Sequence, residues 1–336
     1  MGSIHVYSIL LASGKKFPAK KGESILNSAT LSGVNFPYSC KSGRCSACKC
    51  KVLNGVTHAF QPEIGLTDQE RVEGWVLSCV RSAESDIEIE IDDLGGVHLP
   101  APKTWPCRIS EIKRLAPDVV QVFLRLPPAA DFQFIPGQYI DVIGMNGIRR
   151  SYSLANYSFE KKILELHIRA VENGAMSKYW FNIARPNDLL RIHGPLGTFF
   201  IRETLGVDLI FLATGTGIAP VKAMLESIGH LPLHRRPNSV TVLWGGRHQH
   251  DFYMDLNVLF EYCTYFAVKS RADESWAGAT GYVQDVLFDV KSDLKNASVY
   301  ACGSNAMIRS AQVRLVEAGL MPKNFYSDAF VSSGNN

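Results

Sequence analysis

Four of the eight cysteines lie within eleven positions, and this cluster constrains the chain more than any other feature of its sequence. They are Cys40, Cys45, Cys48 and Cys50, and Cys79 follows at a distance. Without Cys50, these cysteines have the spacing C-x4-C-x2-C-x30-C. Thiols grouped in this way indicate a metal centre rather than the scattered disulfide framework of a small secreted domain.

Two kinds of metal centre use cysteine clusters. A zinc ribbon needs two C-x2-C pairs, and this sequence has one, at Cys45 and Cys48. A plant-type 2Fe–2S cluster uses C-x4-C-x2-C with a distant fourth cysteine, and the small residues between the cysteines let backbone amides approach the sulfurs. We therefore predict a 2Fe–2S cluster, with zinc as the alternative and Cys50 as a packed spare thiol. The predicted ligands are Cys40, Cys45, Cys48 and Cys79.

The segments around the cysteines predict a small β-grasp domain. Residues 4–11, a partner segment from Phe17 and the alternating residues 86–91 have the patterns of strands, and a short helix follows the second of them. Three prolines between His98 and Pro106 mark a linker.

Composition excludes several function classes. Hydrophobic residues make up 46% and charged residues 20% of 336 residues, which excludes a disordered or coiled-coil chain. The formal net charge of +3 is too small to indicate nucleic-acid binding. No apolar run reaches the ~18–20 residues of a membrane span, and the first residues lack the pattern of a secretory signal. We expect a cytoplasmic protein without a membrane span.

The middle of the chain, from about residue 107 to residue 200, consists of short β-rich runs that predict a small antiparallel barrel. Within it, Arg149-Arg-Ser-Tyr-Ser153 follows a Gly-Gln-Tyr strand. This arrangement resembles the flavin motif of the ferredoxin–NADP reductase superfamily. The resemblance implies a six-stranded FAD-binding barrel in which Arg150 pairs with a flavin phosphate. It also implies that Tyr152 packs on the isoalloxazine and that the Ser153 hydroxyl lies near flavin N5.

Two further motifs in the barrel carry the same resemblance. His167-Ile-Arg-Ala-Val171 precedes Gly174-Ala-Met-Ser177, which opens a helix whose N-terminus is expected to receive the FAD pyrophosphate. Gly194-Pro-Leu-Gly197 matches the loop that closes the superfamily's barrel. The cofactor-binding residues implied here are His167, Arg169, Gly174, Met176 and Ser177.

The last third predicts a parallel α/β domain that binds a nicotinamide nucleotide. A buried-strand run at residues 209–213 is followed by Thr214-Gly-Thr-Gly-Ile-Ala-Pro220 and a helical pattern, an arrangement that places a pyrophosphate at a helix N-terminus. Pro220 replaces the third glycine of the usual motif, and this form resembles that of the same superfamily. The implied nucleotide-binding residues are Gly215, Thr216 and Gly217.

Three later segments resemble the rest of a nicotinamide site. Cys302-Gly303 follows a strand and is expected beside the nicotinamide, with a buried structural thiol as the alternative. Phe330 is expected over the open face of the flavin, unless it only ends a packed terminal strand. Arg247 and the pair Ser270-Arg271 are candidates for the 2′-phosphate of NADPH, although relatives with this domain order favour NADH. The residues predicted to act in hydride transfer are Ser153, Cys302 and Phe330.

These motifs imply a multidomain α+β and α/β chain. The expected order is a ferredoxin domain (residues 1–98), a linker (99–105), an FAD-binding barrel (106–203) and an NAD(P)-binding domain (204–336). A hydride donor gives two electrons together whereas a 2Fe–2S cluster carries one, so a flavin is needed between them. We therefore expect an NADH-dependent iron–sulfur flavoprotein oxidoreductase that passes hydride to FAD and single electrons through the cluster to a partner enzyme.

The partner is less constrained by the sequence. Reductases with this domain order serve either an aromatic-ring, phenol or alkane oxygenase component, or the sugar dehydrase that works with CDP-6-deoxy-3,4-glucoseen reductases in dideoxysugar biosynthesis. Four segments resemble the sugar subfamily more closely: residues 149–156, 194–203, 276–283 and 326–331.

The predicted cluster loop carries three basic residues, Lys41, Arg44 and Lys49. They suggest that the loop docks to an acidic surface of the partner, with a solvated basic loop as the alternative. A non-catalytic redox carrier would not need the nicotinamide motifs.

Overall fold

The computed structural model describes residues 5–144 and 147–330. The first residues of the chain and Val331, which the sequence analysis used, lie outside these ranges. The chain divides into two compact units between Leu99 and Pro100, a boundary that falls in the proline-rich segment. No helix in the described ranges is long and apolar enough to cross a membrane.

The first unit is a β-grasp domain, as predicted. Its core sheet has the order β2-β1-β7-β3-β5, in which β1 and β7 are parallel, and β4 pairs with β6 separately. Ser24 caps α1 by accepting a hydrogen bond from the Asn27 amide, and Ile25 and Ala29 turn into the core. The elements are β1 (Val6–Leu11), β2 (Lys16–Lys20), α1 (Ile25–Leu31), β3 (Lys49–Asn54), β4 (Thr57–Ala59), α2 (Asp68–Val72), β5 (Trp75–Leu77), β6 (Arg81–Ala83) and β7 (Ile87–Glu90).

The second unit begins with a six-stranded antiparallel barrel. Its strand order is β11-β10-β13-β8-β9-β12, and a bridge between Leu154 and Leu166 joins the two ends. The elements are β8 (Lys103–Ala116), β9 (Val119–Arg125), β10 (Tyr139–Ile143), β11 (Arg149–Ser153), β12 (Ile163–Arg169), α3 (Ala175–Lys178), which continues as a π-helical turn (Tyr179–Ile183), and β13 (Leu189–Leu196).

The first barrel strand begins earlier than the sequence suggests. Lys103 to Pro106 were expected in or beside the linker, but they pair with β13 as the start of β8. Pairing of β8 with β9 begins only at Arg108, so Pro106 has a neighbouring strand on one side alone. Proline is tolerated there because no strand lies on the open side to accept the hydrogen bond that proline, without an N–H, cannot donate.

The rest of the second unit is a parallel α/β sheet with the order β17-β16-β15-β14-β18-β19. The residues of β14 from Leu209 to Ala213 are all buried, as expected for a central parallel strand covered on both faces. The elements are β14 (Asp208–Thr214), α4 (Ile218–Gly229), β15 (Ser239–Gly246), α5 (Leu256–Leu259), β16 (Thr264–Lys269), β17 (Ala279–Thr280), α6 (Val283–Val290), β18 (Ala297–Gly303), α7 (Asn305–Glu317) and β19 (Phe325–Ala329).

Ion pairs join the barrel to the α/β sheet within this unit. Lys222 on α4 lies 3.0 Å from Glu165 on β12 and 2.6 Å from Glu226. The Glu165 and Lys222 side chains are largely buried, and the Glu226 carboxylate also accepts a hydrogen bond from the Tyr157 backbone amide. Removing one partner of such a pair would leave a buried charge uncompensated, so the network fixes how α4 meets the barrel.

Candidate functional site

One loop of the first unit carries three of the four predicted cluster thiols, Cys40, Cys45 and Cys48. Lys41, Gly43 and Ser46 have φ values of 53°, 72° and 62°, which turn the chain tightly between the cysteines. The Cys40 amide donates to Cys45 Sγ at 3.4 Å, and the Ser42 amide donates to Cys40 Sγ at the same distance. A Cβ on Gly43 would lie 2.5 Å from the Pro62 carbonyl oxygen, so this position requires glycine.

Cys79 completes the set from the turn after β5. Its thiol is hydrogen-bonded to that of Cys48, and the Gly43 amide also points at it. In the other pair, the hydrogen bond from Cys45 and the amides around Cys40 lower the pKa of the Cys40 thiol to about 5 despite its burial. Four thiols with backbone amides directed at sulfur fit a 2Fe–2S cluster.

Cys50 lies apart from this set. Its side chain is fully buried in β3 among the core residues of the first unit. Burial raises the pKa of its thiol to about 12. A neutral packed thiol agrees with the sequence interpretation. Near the loop, Lys49 is paired with Glu70 at 2.6 Å, so its charge is already compensated.

The segment expected to hold the flavin forms β11 at the end of the barrel sheet. Alternation along the strand places Arg150 and Tyr152 on one face. Trp180 donates its indole N–H to the Tyr152 hydroxyl at 3.0 Å, and burial raises the pKa of Tyr152 to about 12. Arg149 pairs with Asp141 at 3.5 Å. The strand therefore offers a fixed, neutral aromatic ring beside a half-buried guanidinium, which fits a flavin with its phosphate.

The predicted helix start after this strand is also present. Gly174 precedes α3, and no described side chain caps this helix end. The Ser177 hydroxyl accepts the Val171 amide at 2.8 Å, which folds the preceding loop back onto the helix, and Met176 is buried. The first amides of α3 are therefore available to an acceptor such as a phosphate.

Two residues expected at the cofactor have protein partners in the structure. His167 is buried, with Nε2 2.9 Å from Glu165 and Nδ1 3.2 Å from the Tyr253 hydroxyl. Arg169 pairs with Asp118 at 3.1 Å and with Asp251 at 2.5 Å. Sequence reasoning missed these partners, because Asp251 lies 82 positions from Arg169 and no pattern joins them. Their roles toward a cofactor remain predictions.

The glycine motifs of the α/β sheet meet at its carboxyl edge. The pairing aligns Ala213 of β14 with Cys302 of β18, so the residues that follow both strands are neighbours. A Cβ on Gly217 would lie 2.3 Å from the Cys302 carbonyl oxygen, and one on Gly303 would lie 2.3 Å from Thr214 Oγ1. Beside this close approach, no described side chain caps the N-terminus of α4, which fits a dinucleotide at the carboxyl ends of parallel strands.

Ser153 is buried at the end of β11 in the barrel, and the remaining residues predicted for the α/β domain lie at the carboxyl edge of its sheet. Cys302 is fully buried, and burial raises the pKa of its thiol well above the usual value. Ser270 donates to the Gly246 carbonyl, while Arg247 and Arg271 are exposed at the ends of β15 and β16. Phe330 follows β19, its amide donates to Gly303 at 2.8 Å, and its side chain is 41% exposed.

Three family models match separate parts of the chain. Residues 9–84 match the 2Fe-2S iron-sulfur cluster binding domain, residues 106–201 match the oxidoreductase FAD-binding domain, and residues 211–313 match the oxidoreductase NAD-binding domain. These matches confirm the three cofactor classes predicted from the sequence.

Similar proteins cover almost the whole chain. The CDP-6-deoxy-L-threo-D-glycero-4-hexulose-3-dehydrase reductase of Yersinia pestis is 39% identical over 96% of this chain and 97% of its own length. The toluate 1,2-dioxygenase electron transfer component of Pseudomonas putida is 28% identical over 94% of each chain. The crystal structure of the Amycolatopsis cytochrome P450 reductase GcoB has a TM-score of 0.74 at 27% identity, covering 96% of this chain and 98% of that one. With its ferredoxin, FAD-binding and NAD-binding domains, the chain belongs to the ferredoxin–NADP reductase superfamily and is an iron–sulfur flavoprotein oxidoreductase.

Proposed function

We propose that this reductase takes hydride from NADH and supplies single electrons to a CDP-sugar dehydrase, so that the oxygen at C3 of the sugar is removed. The observation that carries the proposal is the 39% identity to a dehydrase reductase across 96% of the chain, against 28% to an oxygenase component of the same domain order. The proposal includes a cytoplasmic location, where NADH is available.

The chain's own residues supply binding and orientation for this chemistry. When bound, FAD supplies the exchange of one hydride for two single-electron transfers. Arg150 would hold the flavin phosphate, and Tyr152, fixed by the Trp180 indole, would support its ring system. Gly215 and Gly217 would admit the nucleotide diphosphate at the start of α4, with the buried Cys302 beside the nicotinamide. Cys79 and the three loop cysteines, Cys40, Cys45 and Cys48, would hold the cluster.

The partner is tested by reconstitution with two acceptors. Purified reductase is mixed with NADH and either a CDP-6-deoxyhexulose 3-dehydrase or the terminal component of an aromatic-ring dioxygenase, and product per NADH is measured. We expect 3-deoxygenation in the first mixture and little hydroxylation in the second. Hydroxylation without deoxygenation would identify an oxygenase reductase instead. The same assay with NADPH decides whether Arg247 and Arg271 accept a 2′-phosphate.

The flavin site is tested by replacing Arg150. Loss of a charge-assisted hydrogen bond costs about 1.5–3 kcal/mol, so we expect Arg150→Ala to weaken FAD binding by roughly 10- to 100-fold. The measurement is flavin release on dilution, followed by flavin fluorescence. Arg149→Ala is the matched control, because Arg149 is its neighbour and pairs with Asp141. Equal flavin loss in both variants would contradict the role of Arg150.

A further inference from the structure

The Arg169 guanidinium lies between two carboxylates, one of which is hydrogen-bonded to it. One terminal nitrogen donates a hydrogen bond to Asp251 at 2.5 Å, and Nε lies 3.1 Å from Asp118 without hydrogen-bond geometry. The other terminal nitrogen is directed at the glycine turn, since a Cβ built on Gly215 would lie 3.0 Å from it. Arginine has five donors in a rigid fork, so the hydrogen bond to Asp251 and the nearby charge of Asp118 can orient it and leave one edge for another acceptor.

Asp251 also organises the loop that follows β15. Its second oxygen accepts the Arg247 amide at 2.7 Å and the His248 amide at 2.9 Å. Burial opposes ionisation, but these hydrogen bonds and the charge of Arg169 outweigh it and hold the pKa of Asp251 below its usual value. One buried carboxylate therefore connects the barrel strand β12 to the loop that carries Arg247.

We propose that Asp251, assisted by Asp118, is a positioning residue that holds Arg169 against the diphosphate of the nicotinamide nucleotide at the Gly215 turn. The inference rests on the proposed function, since that turn must receive a nucleotide. The turn precedes the twelve-residue helix α4, whose N-terminus has no described side-chain cap and whose dipole favours an anion there. Arg169 places a terminal guanidinium nitrogen beside the same turn, where it can donate to a phosphate oxygen.

Asp251 and Asp118 also lie close to His250, in a group that could hold a metal ion. Arg169 is already the cation between the two carboxylates, so we assign the group to Arg169 rather than to a metal.

The test compares ligands with and without a diphosphate. Binding of NAD⁺, ADP and adenosine to the oxidised holoprotein is measured by isothermal titration calorimetry. We expect Asp251→Asn to raise the Kd of NAD⁺ and of ADP about tenfold, the effect of losing one charge-assisted hydrogen bond, and to leave the Kd of adenosine unchanged. Arg169→Gln should give the same pattern, and the double variant should add little because the two residues act together.

The control is Asp208→Asn, which removes a carboxylate paired with Lys291 at the opposite edge of the sheet. It should change none of the three affinities. An equal rise for adenosine, or unchanged NAD⁺ binding in Asp251→Asn or in Arg169→Gln, would overturn the inference; if Asp251→Asn fails to fold, unchanged NAD⁺ binding in Arg169→Gln would still overturn it. The reductase could fail to drive 3-deoxygenation by the dehydrase while the variants still weaken ADP binding and not adenosine binding. In that case the proposed partner is wrong and the positioning role of Asp251 stands.

Discussion

Replacing Cys45 with serine is expected to separate the two halves of the electron path. Cytochrome c reduction by NADH should fall by more than about 100-fold, because changing even a supporting group at a metal site lowers affinity by 10- to 100-fold. Anaerobic reduction of the flavin by NADH should continue, because flavin and nucleotide are bound by the other compact unit. Stopped-flow absorbance of the flavin and a cytochrome c assay measure the two steps.

The matched control is Cys50→Ser, in the same domain. Cys50 is fully buried but lies outside the four-thiol set, so this variant should keep the cluster and its visible absorption, at some cost in stability. If Cys50→Ser lost the cluster and Cys45→Ser kept it, the ligand set would be wrong. If Cys45→Ser abolished flavin reduction in a folded, FAD-loaded protein, hydride transfer would depend on the cluster and the division of roles would fail.

The features of this molecule that could be predicted from the sequence are those that depend on residues close to one another along the chain. Three of the four predicted cluster ligands, Cys40, Cys45 and Cys48, are closely spaced along one loop, so their spacing can be recognised in the sequence. The glycine turn at Gly215 and the strands of the parallel sheet are local in the same sense, because a buried strand needs a continuous apolar run. The structure contains the predicted turn and parallel strands, while the ligand roles of the cysteines stay predictions.

The features that sequence did not predict depend on contacts between distant segments. Lys103 to Pro106 became strand because β13, more than 80 residues later, offers them a partner. Arg169 meets Asp118 and Asp251 only after β12 has packed beside the loop following β15. Prolines and charged side chains are normally signs of exposed segments, so their local pattern points away from these roles.

The nucleotide site should depend most strongly on Gly217. We expect Gly217→Ala to reduce flavin reduction by NADH about 100-fold, because a shift of about 1 Å in a positioning element can cost that much. The added methyl would lie 2.3 Å from the Cys302 carbonyl oxygen, 2.7 Å from its carbonyl carbon and 2.9 Å from the Gly303 nitrogen. All three are backbone atoms, so the turn must move away from β18. Stopped-flow measurement of flavin bleaching gives the rate.

Two controls distinguish a defect in the nucleotide site from a general loss of folding. One is chemical reduction of the cofactors, and the other is a substitution at a second glycine. Dithionite should still reduce the flavin and cluster of Gly217→Ala, because neither depends on the nucleotide turn. Gly229→Ala changes the last residue of the same helix, where the new methyl makes an ordinary contact of 3.4 Å with Tyr262. Since alanine favours a helix over glycine by about 1 kcal/mol, that variant should be at least as stable as the parent and equally active. Normal NADH rates in Gly217→Ala would mean that the nucleotide does not use this turn, whereas slow rates in both variants would place the defect in the stability of α4.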